Sequence, residues 1–212
     1  MPKKIQRINI VDLEATCWDN QEAPDGQPQY KVSEIIEIGI AQIDLKQMKI
    51  VDKGTYLVKP KLYGGKLSKY CTDLTSLTQE QIDEQGTTLQ YAFERMKSEF
   101  KTMKYEWASW GDYDRAHVQR ECVKWNLQYP FHKTHTNLKY WLSALLGVKI
   151  QRNVNGMMDF LHMDFEGHAH RGVDDAYNIA RMYLEIVGEL RQHVNANVHA
   201  GNWGDDFHKE NQ

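Results

Sequence analysis

The sequence predicts an α/β domain built on a mixed sheet covered by helices. Two observations carry this. The N-terminal third holds three runs of strand character, and the rest alternates one further strand-like run with long stretches of helical apolar spacing. Strands first, then helix and strand in alternation, give a sheet whose faces helices can cover.

Taken in order, Ile8, Ile10 and Leu13 make RINIVDLEA an apolar run of strand length. Pro24, Gly26 and Pro28 mark DNQEAPDGQPQY as an exposed loop. EIIEIGIAQID and the segment around Thr55, Tyr56, Leu57 and Val58 read as two more strands, an antiparallel meander with the first. Residues 78–83 start a short helix and residues 89–103 form a longer one. Residues 107–110 make another strand, leading into a helix from about 115 to 125, and further helices follow at 137–146 and 157–163. Val173, Ala176, Tyr177, Ala180, Tyr183, Leu184 and Val187 recur at helical spacing, so the last helix runs to about Leu190. The tail NANVHAGNWGDDFHKENQ lacks periodicity, although its Trp203 suggests some packing. The expected organisation is one domain over 1–194 and an extension over 195–212.

At 212 residues, 41% of them hydrophobic and 26% charged, the chain has the length and composition of a soluble domain with a substantial core. No stretch nears the roughly 20 apolar residues of a membrane helix. MPKKIQRINI passes straight into a strand without the apolar segment and cleavage site of a signal peptide. A cytoplasmic protein with no membrane partner is the expectation. Cys17, Cys71 and Cys122 form no CxxC pair, which fits a reducing compartment and packing as small apolar side chains. The net charge of −3 argues against coating long nucleic acid, because such binding scales with the phosphates neutralised. Gripping a terminus needs fewer contacts. Lys59, Lys61, Lys66 and Lys69 offer a local basic patch for that, or simply a solvated loop. Neither the group His162, His168 and His170 nor the pair His132 and His135 completes a zinc set of regular spacing.

The chemistry lies in three acidic motifs, IVDLEATCWD, SWGDYDR and HAHRGVDDAYNIARMY. Side chains two apart on a strand share a face, so Asp12 and Glu14 project together. Adjacent carboxylates raise each other's pKa unless a cation sits between them, and a hard divalent ion is the natural partner. An isolated DxE is equally an edge-strand pair facing water. In the third motif Asp174 or Asp175 falls in the first turn of the last helix, with His170 on the loop before it. Free N–H groups and the helix dipole favour an acid there. Asp174 is assigned the structural role and Asp175 the ligand role. The second motif offers both Asp112 and Asp114.

These residues, with SEIIEIGIAQID and LSKYCTDLTSLTQEQID between them, resemble the Asp-Glu-Asp-Asp-His class of 3′-to-5′ exonucleases, whose sheet belongs to the ribonuclease H-like fold. The flanking text resembles the branch that trims the 3′ ends of histone messenger RNA and small interfering RNA, with its bacterial KapD-like relatives. The resemblance runs from about Ile8 to Tyr183 and implies a mixed five-stranded sheet flanked by helices. Asp12 and Glu14 match the first family motif, and His170 with Asp175 the third. Asp114 matches the second, because an aromatic residue directly precedes the family's metal-site aspartate, as Tyr113 does here. Asp112 after Gly111 then becomes a turn or capping residue.

By the same resemblance, two Mg²⁺ or Mn²⁺ ions would be held per site. Asp12 would bridge them, Glu14 and Asp175 would complete the first site, and Asp114 would support the second. His170 would act as general base, a role suited to imidazole. The substrates implied are single-stranded RNA or DNA 3′ ends, and the product a nucleoside monophosphate. Tyr70 and Tyr113 match aromatic positions that sandwich the terminal base, and Leu13, Ala15, Leu74 and Thr75 complete the substrate-binding set. Stacking suits an enzyme that accepts every base, since each offers a π-face. On that reading Tyr→Phe is mild, whereas tyrosines packed in the core would need partners for their hydroxyls. Two other readings stand beside this one. A DNA-specific exonuclease fits because no residue identifies a contact to the 2′-hydroxyl. A noncatalytic nucleic-acid-binding protein would keep the fold, but here all five family positions are filled.

Overall fold

The computed structural model describes residues 6–147, 149–150 and 152–198, the stretch 192–198 by backbone alone. Five strands, β1 (Arg7–Ala15), β2 (Ile35–Asp44), β3 (Lys49–Leu57), β4 (Glu106–Ser109) and β5 (His135–Asn137), form one sheet in the order β3-β2-β1-β4-β5. The β1–β2 and β2–β3 pairs are antiparallel, and the β1–β4 and β4–β5 pairs are parallel. The helices are α1 (Gln29–Val32), α2 (Lys69–Thr75), α3 (Gln79–Gln85), α4 (Leu89–Glu99), α5 (Tyr113–Trp125), α6 (Leu138–Leu146), α7 (Val154–Phe160) and α8 (Gly172–Val198).

Helices cover both faces of the sheet, which is why β1 and β2 read as nearly continuous apolar runs. Val11 and Leu13 of β1 join Phe93, Met96 and Val118 on the α4–α5 side. Ile8 and Ile10 join Leu138, Met157, Ala176 and Ile179 on the α6–α8 side. The strand period of two therefore sends Asp12 and Glu14 out on the face that carries α8. Buried apolar surface of this kind, at about 25 cal/mol per Å², is the main force holding the helices to the sheet.

The mixed sheet and the antiparallel meander are as expected, and several boundaries move. The α4 helix stops at Glu99 instead of continuing to residue 103. Phe100 is buried, Lys101 takes a left-handed φ of 52°, and the Thr102 hydroxyl donates to the Pro130 carbonyl. The α5 helix starts at Tyr113, two residues before the expected 115. The α7 helix starts at Val154 because Asn153 caps it, its Oδ1 accepting the Gly156 N–H at 3.0 Å. The α8 helix runs on to Val198, beyond the expected end near Leu190; the rest of the extension, 199–212, lies outside the described residues. The short elements α1, α2 and β5 and a 3₁₀ turn at Leu62–Gly65 had no sequence counterpart. Among the described residues no helix is long and apolar enough to cross a membrane.

Candidate active site

Asp12 and Glu14 continue the row of Ile8 and Ile10 past the point where β1 loses β4, since that pairing covers only Ile8, Asn9 and Ile10. Asp114, in the first turn of α5, caps the freed edge: its Oδ1 accepts the Leu13 N–H at 3.1 Å. Here β1 has an antiparallel neighbour on one side and a parallel one on the other. Open α/β sheets bind ligands at such crevices beyond the carboxyl ends of their strands.

The α8 helix reaches this point through a contact between two glycines. A Cβ on Gly39, which faces Asp12 across the β1–β2 ladder, would stand 1.9 Å from the Gly172 carbonyl carbon. A Cβ on Gly172 would meet the Asp12 carbonyl oxygen at 3.1 Å. Glu37, fully buried opposite Glu14, fastens the junction by accepting the Gly172 N–H at 2.9 Å, the Arg171 guanidinium at 3.2 Å and the Thr55 hydroxyl at 2.7 Å. The first turn of α8 thereby brings Asp175 beside β1.

One carboxylate oxygen from each of Asp12, Glu14 and Asp175 lies within 4.8 Å of the other two. Burial first, and then the neighbouring carboxylates Asp114, Asp175, Glu14 and Glu37, raise the Asp12 pKa well above the carboxylate range. Burial with Asp175 and Glu37 nearby pushes Glu14 up to about 9. Burial pushes Asp175 up to about 7, against the pull of the His170 and Arg171 backbone N–H groups, and Asp114 up to about 6. A set this acidic is stable only protonated or with a cation, and oxygen donors select a hard one. Asp175 Oδ2 is buried with no hydrogen-bond partner among the described residues, as suits a ligand atom.

These groups share a cavity of about 210 Å³. Asp12, Leu13, Glu14, Asp114 and Asp175 form one part of its wall, and Tyr113, half exposed, another. His170 also lines it, from an exposed turn with φ 62°. Trp110, Asn153, Val154, Asn155 and Ala169 complete the lining, and none of these was singled out from sequence. They belong to connections and helix starts whose composition signals a turn or cap rather than a site.

Ala15, Tyr70, Leu74 and Thr75 do not line this cavity. Ala15 is buried at the end of β1, where its carbonyl accepts the Cys71 thiol of α2 at 3.7 Å. Thr75 is buried and donates to the Cys71 carbonyl, and Leu74 packs on the cluster around Cys17, Ile36 and Leu77. Tyr70 stands 43% exposed on α2. The basic patch is tied up locally: Lys66 pairs with Asp83, Lys69 with Asp73, Lys59 donates to the Asp83 carbonyl and Lys61 lies over Trp125. Asp112 is exposed at the N-cap position of α5 and makes no capping bond. Asp174 holds the loop before α8, accepting the His168 N–H at 3.0 Å.

The exonuclease family model RNase_T matches residues 10–183. The 3′-5′ exoribonucleases 1 of Rattus norvegicus and Homo sapiens are each 31% identical over 92% of this chain, and the chain spans 57% and 56% of their lengths. The crystallographic nuclease domain of 3′hExo, a DEDDh family member bound to rAMP, superposes with a TM-score of 0.77 at 27% identity, covering 89% of this chain and 95% of that one. The chain belongs to the DEDDh 3′-to-5′ exonuclease family. A structure of a 3′-exonuclease recognising the 3′ end of a histone mRNA stem-loop matches with a TM-score of 0.75 at 29% identity over 88% of this chain and 84% of that one. The five-stranded sheet is the ribonuclease H-like one of these exonucleases. The DEDDh family depends on divalent metal, and the converging carboxylates supply the donor set for it.

Proposed function

We propose that this DEDDh exonuclease hydrolyses the phosphodiester at the 3′ end of RNA and releases nucleoside 5′-monophosphates one at a time. The observation that carries the reading is the meeting of Asp12, Glu14, Asp114, Asp175 and His170, from β1, α5, α8 and the loop before it, around one small cavity. RNA is favoured because the relatives of Rattus norvegicus and Homo sapiens named above are exoribonucleases.

Asp12, Glu14 and Asp175 would hold one Mg²⁺ or Mn²⁺ ion, and Asp12 with Asp114 would support a second. Two such ions, when bound, stabilise both the attacking and the leaving oxygen of an in-line displacement. His170 takes the proton of the attacking water, and its position on an exposed turn lets the imidazole approach the substrate. Tyr113 presents its ring to the terminal base at the cavity mouth. Asp174 keeps the loop before His170 in place. The Asp114 bond to the Leu13 N–H fixes the wall between the ligands and the base.

Matched RNA and DNA oligonucleotides, with free and with phosphorylated 3′ ends, test the reading. Faster loss of RNA from free 3′ hydroxyls is expected. Equal or greater turnover of DNA would replace the RNA assignment with a DNA one, and cleavage indifferent to the 3′ end would overturn the polarity.

A further inference from the structure

Tyr113 is 54% exposed, yet its hydroxyl points to a buried polar cluster: Tyr113 Oη lies 3.0 Å from His117 Nδ1, one turn along α5. The two rings meet edge to face, 5.3 Å apart at 83°. His117 is itself 1% exposed, and its Nε2 lies 2.7 Å from Arg120 Nη2. A guanidinium only donates, so Nε2 must accept. The single proton of the neutral ring then sits on Nδ1 and is donated to the Tyr113 oxygen. Burial and the Arg120 charge keep the imidazole neutral, holding its pKa down to about 3. Arg120 is fixed in turn by the backbone before β2, donating to the Tyr30 carbonyl at 2.6 Å and the Ser33 carbonyl at 2.9 Å.

We infer that His117 is a positioning residue for substrate: locked in its Nδ1–H tautomer by Arg120, it clamps the Tyr113 hydroxyl so that the ring face stays turned to the terminal base. This rests on the reading that Tyr113 meets that base. It deepens the reading by making the platform rigid before substrate arrives, which lowers the ordering cost of binding. It also reverses the expectation that Tyr113→Phe is mild. The ring face survives that change, but the buried His117 N–H loses its acceptor, and an unsatisfied buried donor is costly.

The test compares AMP with ribose 5-phosphate, which carries the same sugar and phosphate but no base, on full-length protein with saturating Mn²⁺. His117→Phe keeps the ring bulk and the edge contact while removing the Nδ1 donor; Tyr113→Phe removes the acceptor. Each should weaken AMP on the order of tenfold, within the range of a lost base–aromatic stack, and leave ribose 5-phosphate unchanged. The double variant should be no worse than either single one, because both break the same bond. On RNA, His117→Phe should raise KM with little change in kcat. Unchanged AMP affinity in folded His117→Phe overturns the clamp, as does equal weakening of both probes. Should His117→Phe fail to fold, Tyr113→Phe decides by the same comparison. Wild type that binds AMP no better than ribose 5-phosphate overturns the base contact and the clamp together, whereas failure to degrade RNA bears on the proposed reaction alone.

Discussion

As the proposed metal ligands, Asp12 and Asp175 would serve function at the expense of stability. Each is held among other carboxylates by packing that gives it no cationic neighbour among the groups shifting it most. Asp12→Ala and Asp175→Ala should abolish turnover and weaken metal binding while raising the melting temperature of the metal-free protein, because each removes one member of a mutually repelling set. Calorimetry in chelator checks the second half; a lower melting temperature in both variants would mean that the carboxylates are structural. His170 touches the cavity from an exposed turn, so His170→Ala should fold and bind metal normally and lose roughly 10²–10⁴-fold in kcat, the usual worth of a general base. Single-turnover rates under saturating metal measure it, and a rate near wild type would remove His170 from the proton transfer. These residues were legible in the sequence because the DxE of Asp12 and Glu14 and the HxxxxD of His170 and Asp175 match the motifs of the family that the sequence resembles. Arg120 and Glu37 were not legible, since what makes each of them matter is a partner brought from elsewhere: Tyr30 and Ser33 for Arg120, Gly172 and Arg171 for Glu37.

At the level of elements, the site depends on how closely α8 approaches β2. Gly39 and Gly172 let backbone meet backbone, and Glu37 seals the seam beneath them. Gly39→Ala puts a methyl group where the Gly172 carbonyl stands. Overpacking costs typically about 1–3 kcal/mol and occasionally more, and relief requires the first turn of α8 to move away from β1. The expected outcome is lower stability together with weaker metal binding, read by thermal unfolding and by titration with Mn²⁺. Weakened stability with unaltered metal affinity would show that Asp175 does not depend on this seam. The long strands β1 and β2 announced themselves as apolar runs of strand length, and α8 by its helical apolar spacing. Some short ones did not: β5 has three residues, and α2 is a seven-residue helix that starts from the Ser68 cap. Elements of that length hold their shape through tertiary contacts, which a local pattern cannot display.

For the whole molecule, the acidic centre sets how stability responds to pH. Glu14, up at about 9, and Asp175, at about 7, keep protons in the folded protein that the unfolded chain releases near pH 4. A pKa raised by folding gives stability that is complete below the unfolded value and is lost as pH rises through the folded one. The metal-free protein should therefore lose melting temperature from about pH 5 to pH 9, and saturating Mg²⁺ or Mn²⁺, which binds the deprotonated set, should flatten that decline. A metal-free profile with no such fall would mean that the carboxylates ionise freely and do not face one another. The fold class was readable from the order of strands and helices, and the five-stranded count came from the family resemblance, because β5 is too short to be seen locally. The measurement that tests the central claim most directly is digestion of a 5′-labelled RNA, resolved to single nucleotides, by wild type and Asp12→Ala. Wild type with Mg²⁺ or Mn²⁺ should give a ladder that shortens by one nucleotide at a time from the 3′ end, accompanied by nucleoside 5′-monophosphates. Chelator or Asp12→Ala should leave the RNA intact. Internal cuts, products ending in 3′-phosphate, or a ladder that persists in Asp12→Ala would contradict the assignment.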